Sequence, residues 1–251
     1  MGLHAERDGQ GPPIVLVHGF TQTRRCWGAV ATDLAADHEV IRIDAPGHGR
    51  SAALAGDLQD GARLVGEAGA TATYLGYSMG ARLCLHVALA TPSLVRGLVL
   101  IGGTAGIDDR QERATRRAQD GATADRVRRE GVDAFVAGWL RQPLFASLPA
   151  DAQFHAERLE NTAEGLATSI ELSGTGSQES LWDRLPELTM PVLLMVGELD
   201  LKFTAVAHRM ATEIGAHAQV TVVAGAGHAA HLEQPRSVLA LLRPWLEGHG
   251  L

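Results

Sequence analysis

The sequence has very little lysine and cysteine, and each scarcity narrows what the protein can be. Lys202 is the only lysine among 22 basic residues. Such a ratio indicates a coding preference for arginine, so a single arginine is weak evidence for an anion-binding site. The two cysteines, Cys26 and Cys84, lack a CxxC spacing. They predict free thiols, although one disulfide remains possible.

Long apolar runs and excess positive charge are also missing. No run approaches the roughly 18 residues that span a bilayer, so we expect no membrane segment. The net charge of −7 argues against a general binder of nucleic acid or of acidic membranes. The first eight residues lack the basic-then-apolar layout of a signal peptide. We therefore expect a cytoplasmic protein.

Six short aliphatic runs, each followed closely by a glycine, alternate with longer segments of helical spacing. Unbroken runs of this kind are typical of parallel strands that are buried on both faces. Strand–helix alternation predicts an α/β protein with a mostly parallel central sheet flanked by helices. The predicted strands are 14–17, 40–43, 72–76, 98–101, 192–196 and 220–223.

The alternation breaks once, between Gly103 and Pro191, where no run resembles a strand. The segments 110–117, 132–139 and 153–172 have helical character instead. We predict a single domain over 1–251, with a helical cap insertion at about 104–185. No repeat or linker indicates a second domain.

The strongest motif is Gly76-Tyr77-Ser78-Met79-Gly80, which has the form G-x-S-x-G. It follows a predicted strand and precedes a predicted helix at 81–90. Small flanking residues permit a sharp turn that lifts the Ser78 hydroxyl above the edge of the sheet. The alternative is a glycine-rich turn with an incidental serine, which the flanking strand and helix disfavour.

A reactive serine needs a base, and the base needs an orienting acid. In this architecture the acid and the histidine follow the serine in that order. Asp200 and His228 follow the last two predicted strands, with Glu198 and His231 as reserve candidates. Each could be an ordinary loop residue when taken singly. Three such residues in the right order at strand ends predict a catalytic triad.

Backbone N–H groups could stabilise a developing negative charge beside Ser78. His18-Gly19-Phe20 ends the first predicted strand. We expect the N–H groups of Phe20 and Met79 to form an oxyanion hole. A plain strand-end turn is the alternative for the first of these segments.

The remaining motifs give weaker evidence of function. His228 and His231 have no evident third metal ligand, so we predict no metal site. The sequence has no nucleotide-binding loop. We expect His48 to be a turn residue and Cys84 to be a packing residue.

Together these motifs resemble the α/β-hydrolase superfamily, in the expected order over most of the chain. A closer resemblance is to the 2-succinyl-6-hydroxy-2,4-cyclohexadiene-1-carboxylate (SHCHC) synthases of menaquinone biosynthesis. The segments that carry this closer resemblance are 103–107, 139–146, 158–159, 174–178, 181–182, 197–203 and 226–235. Several lie in the predicted cap, the part that normally differs between superfamily members.

The resemblance implies a carbon–oxygen lyase that eliminates pyruvate from 2-succinyl-5-enolpyruvyl-6-hydroxy-3-cyclohexene-1-carboxylate, with no metal and no organic cofactor. It implies a small polycarboxylate as the partner. The residues that it places against substrate are Tyr77, Arg82, Arg116, Trp139 and Arg158. A solvated arginine face and a cap-core tryptophan are the alternatives. The sequence departs from the commoner family pattern at Ala81 and Ala229.

The implied mechanism is proton abstraction by Ser78, with His228 as the base for its hydroxyl and Asp200 as the acid that orients His228. A serine hydrolase of the same fold, acting on esters or C–C bonds, is the rival enzyme, since fold does not decide function. A ligand-binding protein without catalysis is the non-enzyme rival, which an intact triad disfavours. We expect a monomer and leave an oligomer open.

Overall fold

A seven-stranded sheet forms the centre of the computed structural model, which describes residues 2–251. The strands lie in the order β1-β3-β2-β4-β5-β6-β7, and all neighbours are parallel except β1, which is antiparallel to β3. The prediction of an α/β protein with a mostly parallel sheet is confirmed. The strands are β1 (Ala5–Asp8), β2 (Pro13–Val17), β3 (Glu39–Ile43), β4 (Ala72–Tyr77), β5 (Val95–Ile101), β6 (Val192–Gly197) and β7 (Ala218–Val223).

Helices cover both faces of this sheet and fill the long segment after β5. They are α1 (Gly28–Leu34), α2 (Leu58–Gly69), α3 (Met79–Ala90), α4 (Arg110–Glu130), α5 (Val132–Leu140), α6 (His155–Arg158), α7 (Ala163–Ser173), α8 (Leu201–Ile214), α9 (Ala230–Glu233) and α10 (Pro235–His249). Helices α4 to α7 fall inside the segment 104–185, for which the sequence predicts a helical insertion. No strand occurs between Ile101 and Val192.

Strand β2 shows why the aliphatic runs are unbroken. Successive side chains of a strand point to opposite faces. Ile14 and Leu16 belong to the apolar core on one face of the sheet, whereas Val15 and Val17 belong to the core on the other. Both faces are covered, so every position of the strand is apolar.

The edge strands depart from the sequence prediction. Strand β7 was expected to be buried on both faces, which is wrong: it is the last strand of the sheet, and Val222 is 43% exposed. Strand β1 has no aliphatic run and was not predicted. Its charged residues suit an exposed edge, where Arg7 pairs with Glu39.

The predicted helical stretch at 153–172 is two helices rather than one. Helix α6 ends at Arg158, and the chain turns before α7 begins at Ala163, with Thr162 as its N-cap. The Thr162 hydroxyl accepts a hydrogen bond from the Gly165 N–H at 3.0 Å, an N-cap that supplies one of the four unpaired N–H groups of α7 with a partner. This connection places Asn161 against the core of the protein.

Candidate active site

Ser78 occupies the turn between β4 and α3. Its φ of +51° is uncommon for a residue with a side chain and is a source of backbone strain. The turn depends on its glycines, because a side chain at Gly80 would overlap the Val17 carbonyl and one at Gly76 would overlap the backbone of Gly80. The Ser78 N–H donates to the Ile101 carbonyl at 2.9 Å, which ties the turn to β5.

Asp200 and His228 meet Ser78 at the carboxyl ends of the strands. Asp200 follows β6 and caps α8, and His228 follows β7. His228 Nδ1 lies 2.7 Å from Asp200 Oδ2, and His228 Nε2 lies 3.1 Å from Ser78 Oγ. Asp200 and His228 are buried. The structure thus brings the three predicted residues into a continuous hydrogen-bonded chain, which has the geometry of a base held beside a hydroxyl.

Two backbone N–H groups border the same space. Phe20 and Met79 line a cavity with Ser78, and neither N–H donates a hydrogen bond within residues 2–251. Met79 is the first residue of α3, where a helix has no internal acceptor for its N–H groups. Both donors are therefore available to an oxygen bound beside Ser78.

The cavity has a volume of about 350 Å³ and lies between the sheet and the inserted helices. Ser78 and His228 line it from the sheet side. Arg116 of α4, Trp139 of α5 and Ser169 of α7 line it from the other side. The insertion therefore supplies much of the wall around the hydroxyl of Ser78.

Arg82 lies one helical turn beyond Ser78 in α3 and is 7% exposed. The only hydrogen bond of its guanidinium within the described chain is a long one, 3.4 Å from Nη1 to Gln178 Oε1, and no carboxylate oxygen lies within 4.0 Å of the guanidinium. Burial and the nearby Arg116 lower the pKa of Arg82 to about 10. The guanidinium is still charged at neutral pH, so the cavity holds a buried cation that forms no salt bridge. Asp120 attracts it from a longer distance but is paired with Arg116.

Arg116 and Arg158 differ in their partners. Arg116 Nε pairs with Asp120 Oδ1 at 2.7 Å, and its side chain is 36% exposed. Arg158 is buried and donates to the Gln153 carbonyl at 2.7 Å and to the Thr21 hydroxyl. It lines a side cavity of about 40 Å³ next to Ser78. Both arginines line cavities that Ser78 also lines, and their contact with substrate stays a prediction.

Aromatic side chains form another part of the wall. The ring of Tyr77 is buried beside His228, with ring centroids 5.4 Å apart, and burial raises the pKa of its hydroxyl. Trp139 packs edge-on against Phe20 at 5.2 Å and stacks on Phe135 at 5.7 Å. Trp139 is thus both a lining residue of the cavity and part of the aromatic packing of the cap.

The reserve candidates lie outside this arrangement. Glu198 accepts from the Gly225 N–H at 2.8 Å, and His231 is buried between the rings of Trp27 and Tyr77. His48 is buried, with Nδ1 2.9 Å from the Pro46 carbonyl.

Both cysteines are free and buried. Residues 2–251 contain no cluster of three metal-ligating side chains. No helix in this range is both long and apolar enough to cross a bilayer.

Lys202 lines the cavity, and the sequence interpretation missed it as a site residue. A signal was present, because a lone lysine in an arginine-rich chain stands two positions after Asp200. No carboxylate within the described residues pairs with its ammonium group. Lys202 adds a third positive charge to the lining, beside Arg82 and Arg116.

The model of the Alpha/beta hydrolase family matches residues 14–241. The chain belongs to the alpha/beta hydrolase family. Within that family it is 36% identical, over 95% of its length and 96% of the relative's, to the 2-succinyl-6-hydroxy-2,4-cyclohexadiene-1-carboxylate synthase of Salmonella schwarzengrund (strain CVM19633). The resemblance drawn from the sequence motifs is confirmed.

Two solved structures superpose on nearly the whole chain. MenH from S. aureus superposes with a TM-score of 0.90 at 27% identity, covering 99% of both chains. A thermophilic esterase from Thermogutta terrifontis, solved with malate bound, superposes with a TM-score of 0.82 at 28% identity, covering 98% of this chain and 93% of the esterase. The similarity includes the inserted helices, because it extends over nearly the full length.

Proposed function

We propose that this alpha/beta hydrolase is an SHCHC synthase, a carbon–oxygen lyase of menaquinone biosynthesis. It would eliminate pyruvate from 2-succinyl-5-enolpyruvyl-6-hydroxy-3-cyclohexene-1-carboxylate. The observation that carries the proposal is a serine–histidine–aspartate chain opening on a cavity whose buried Arg82 forms no salt bridge. The relatives named SHCHC synthase support the same activity.

The charges of the cavity suit a substrate with three carboxylates. Arg82, Arg116 and Lys202 line the main cavity with Asp120 as the single acid, and Arg158 borders the side cavity. A buried charge is costly unless it is paired. A substrate carboxylate would supply the partner that Arg82 lacks, through two charge-assisted hydrogen bonds to its planar fork.

The proposed chemistry starts at Ser78. His228, oriented by Asp200, takes the hydroxyl proton, and the serine oxygen removes the ring proton next to the succinyl ketone. Negative charge moves to the ketone oxygen, where the N–H groups of Phe20 and Met79 stabilise it. The electrons return through the ring, the double bond shifts, and the C–O bond to the enolpyruvyl group breaks. The departing enolpyruvate takes the proton held by His228 and becomes pyruvate, while the ring proton restores the Ser78 hydroxyl. These steps call for no metal and no organic cofactor.

A serine hydrolase is the second candidate, and the 28% identity to the Thermogutta esterase favours it. The same hydroxyl, base and oxyanion donors would serve ester cleavage.

The two free buried thiols support a cytoplasmic location for either enzyme. The monomeric state remains a prediction.

The test compares two reactions on one preparation. Pyruvate release from the enolpyruvyl substrate is followed by coupling to lactate dehydrogenase, beside hydrolysis of p-nitrophenyl acetate and butyrate. We expect rapid pyruvate release and negligible ester turnover. Fast ester hydrolysis without pyruvate release would refute the lyase proposal and favour a serine hydrolase.

A further inference from the structure

Thr21, the residue after Phe20, has an unfavourable backbone conformation. Its φ is +67°, and it is a β-branched residue, for which the left-handed region is strained. Strain of this kind persists only where surrounding contacts hold it. Thr21 is fully buried, and its contacts come from the insertion, more than 130 positions later in the chain.

Asn161 supplies the central contacts. Its Nδ2 donates to the Thr21 carbonyl and to the Arg158 carbonyl, both at 2.9 Å, and its Oδ1 accepts from the Gly49 N–H at 2.9 Å. Arg158 donates to the Thr21 hydroxyl. The buried amide of Asn161 therefore uses its donor and acceptor sides in one defined orientation.

The other neighbour of Phe20 is held from within its own turn. The Gly19 N–H donates to Gln22 Oε1 at 3.1 Å, and the Gln22 N–H donates back to the Gly19 carbonyl at 3.1 Å. The Gly19 carbonyl and the Phe20 N–H belong to one planar peptide group, so the bond from the Gln22 N–H to that carbonyl fixes the direction of the Phe20 N–H. Gln22 directly follows Thr21, so the positive φ of Thr21 decides whether the Gln22 N–H reaches the Gly19 carbonyl.

We propose that Asn161 is a positioning residue for the oxyanion hole: by holding Thr21 at positive φ, it aims the Phe20 N–H at the oxygen bound beside Ser78. The inference rests on the proposed roles of Ser78, Phe20 and Met79. It assigns to the connection between α6 and α7 a part in completing the site. A contact that merely packed the insertion would not act on the transition state.

The first experiment uses Asn161→Asp, which has the same shape, keeps an acceptor for the Gly49 N–H and loses the donors to Thr21 and Arg158. We expect kcat for pyruvate release to fall about 10- to 100-fold with KM changed less than about threefold, since complete loss of one oxyanion donor costs about 10²–10³-fold. The acid limb of the pH–rate profile should stay in place, because His228 and Asp200 are untouched.

The matched control is Arg128→Ala. Arg128 of α4 bridges Glu164 and Glu171 of α7, at 2.9 and 2.6 Å, and makes no contact with the Thr21 turn. The substitution Arg128→Ala removes contacts within the same insertion, so Tm should fall while kcat stays within about twofold of wild type. Equal loss of kcat in both variants would reduce Asn161 to a general stabiliser of the insertion and overturn the proposal.

A second pair of variants separates conformation from packing. Thr21→Gly and Thr21→Val both remove the hydroxyl, but glycine accepts φ of +67° without strain and valine does not. Positioning predicts that Thr21→Gly keeps more kcat than Thr21→Val. A pure packing role predicts the opposite order, because glycine leaves the larger void.

The labelling rate of Ser78 by a fluorophosphonate distinguishes failure of this inference from failure of the proposed substrate. The phosphoryl oxygen uses the same N–H donors, so Asn161→Asp should label more slowly than Arg128→Ala even if pyruvate is never released. Equal labelling rates would refute the positioning role. If the wild type is not labelled, Ser78 is not a reactive serine, and both the proposed function and this inference are refuted.

Discussion

Replacing Arg82 with methionine should make the protein more stable and less active. The guanidinium lies 7% exposed in the cavity with one long hydrogen bond, to Gln178. Burial, reinforced by Arg116, lowers its pKa well below the ordinary value of an arginine, to about 10. Methionine is of similar length and carries no charge, so it removes the burial penalty while filling much of the same space.

The pKa shift sets the size of the effect. At about 1.4 kcal/mol for each pH unit, the lowered pKa corresponds to roughly 3 kcal/mol of stability lost at neutral pH. The unfolded chain binds this proton more tightly than the folded one. The penalty is therefore complete below pH 10 and shrinks as the pH rises from 10 towards 12.5. We expect Arg82→Met to raise the free energy of unfolding by about 1–3 kcal/mol, or several degrees in Tm.

Activity should change in the opposite direction. Loss of a buried charged contact costs about 2–5 kcal/mol, which is a drop of several tens to thousands of times in kcat/KM. Arg82→Lys should stay impaired, because it keeps the charge but not the planar fork that holds a carboxylate through two hydrogen bonds.

The assay measures Tm and kcat/KM for pyruvate release in wild type, Arg82→Met and Arg82→Lys. Arg96→Met is the control, because Arg96 is an exposed residue of β5 whose side chain makes a single hydrogen bond, to the Gly250 carbonyl. Its effect on stability should stay within about 0.5 kcal/mol, with normal turnover. If Arg82→Met melts below wild type and keeps its kcat/KM, Arg82 is a packing residue and the argument for an anionic substrate is refuted.

Two further variants test the Ser78 hydroxyl and the buried His231. Ser78→Ala should abolish pyruvate release while far-UV circular dichroism and Tm stay near wild type, because the hydroxyl contributes little to packing; substantial residual release would contradict a role for Ser78. His231→Phe should reduce acid sensitivity. Burial, Arg158 and His228 lower the pKa of His231 to about 3, so the unfolded chain binds a proton that the folded one does not as the pH falls from 6.5 towards 3. The Tm advantage of His231→Phe should therefore grow from pH 7 to pH 4, and a pH-independent difference would be evidence against this reasoning.

Local sequence patterns were enough to predict six of the seven strands and the meeting of Ser78, Asp200 and His228. An aliphatic run such as 14–17 reports burial on both faces wherever it occurs in the chain. Each of the three residues follows a predicted strand. Parallel strands present their carboxyl ends at one edge of the sheet, so residues at those ends are close whatever the intervening sequence does. The family resemblance supplied the substrate class, which periodicity and spacing could not.

The tertiary structure alone decided which cations face the hydroxyl and how the turn beside it is held. In a chain with 21 arginines, residue type did not separate the buried, unpaired Arg82 from the paired Arg116, nor mark Lys202 as a lining residue. The contacts that separate them join distant positions: Arg82 meets Gln178 across 96 residues, and Asn161 meets Thr21 across 140. Such pairings depend on how the insertion packs on the sheet, which no local pattern encodes. The edge strand β1 escaped prediction for the same reason, because it pairs with β3 more than 30 residues later. The break between α6 and α7 combines a local cap at Thr162 with the distant contacts of Asn161.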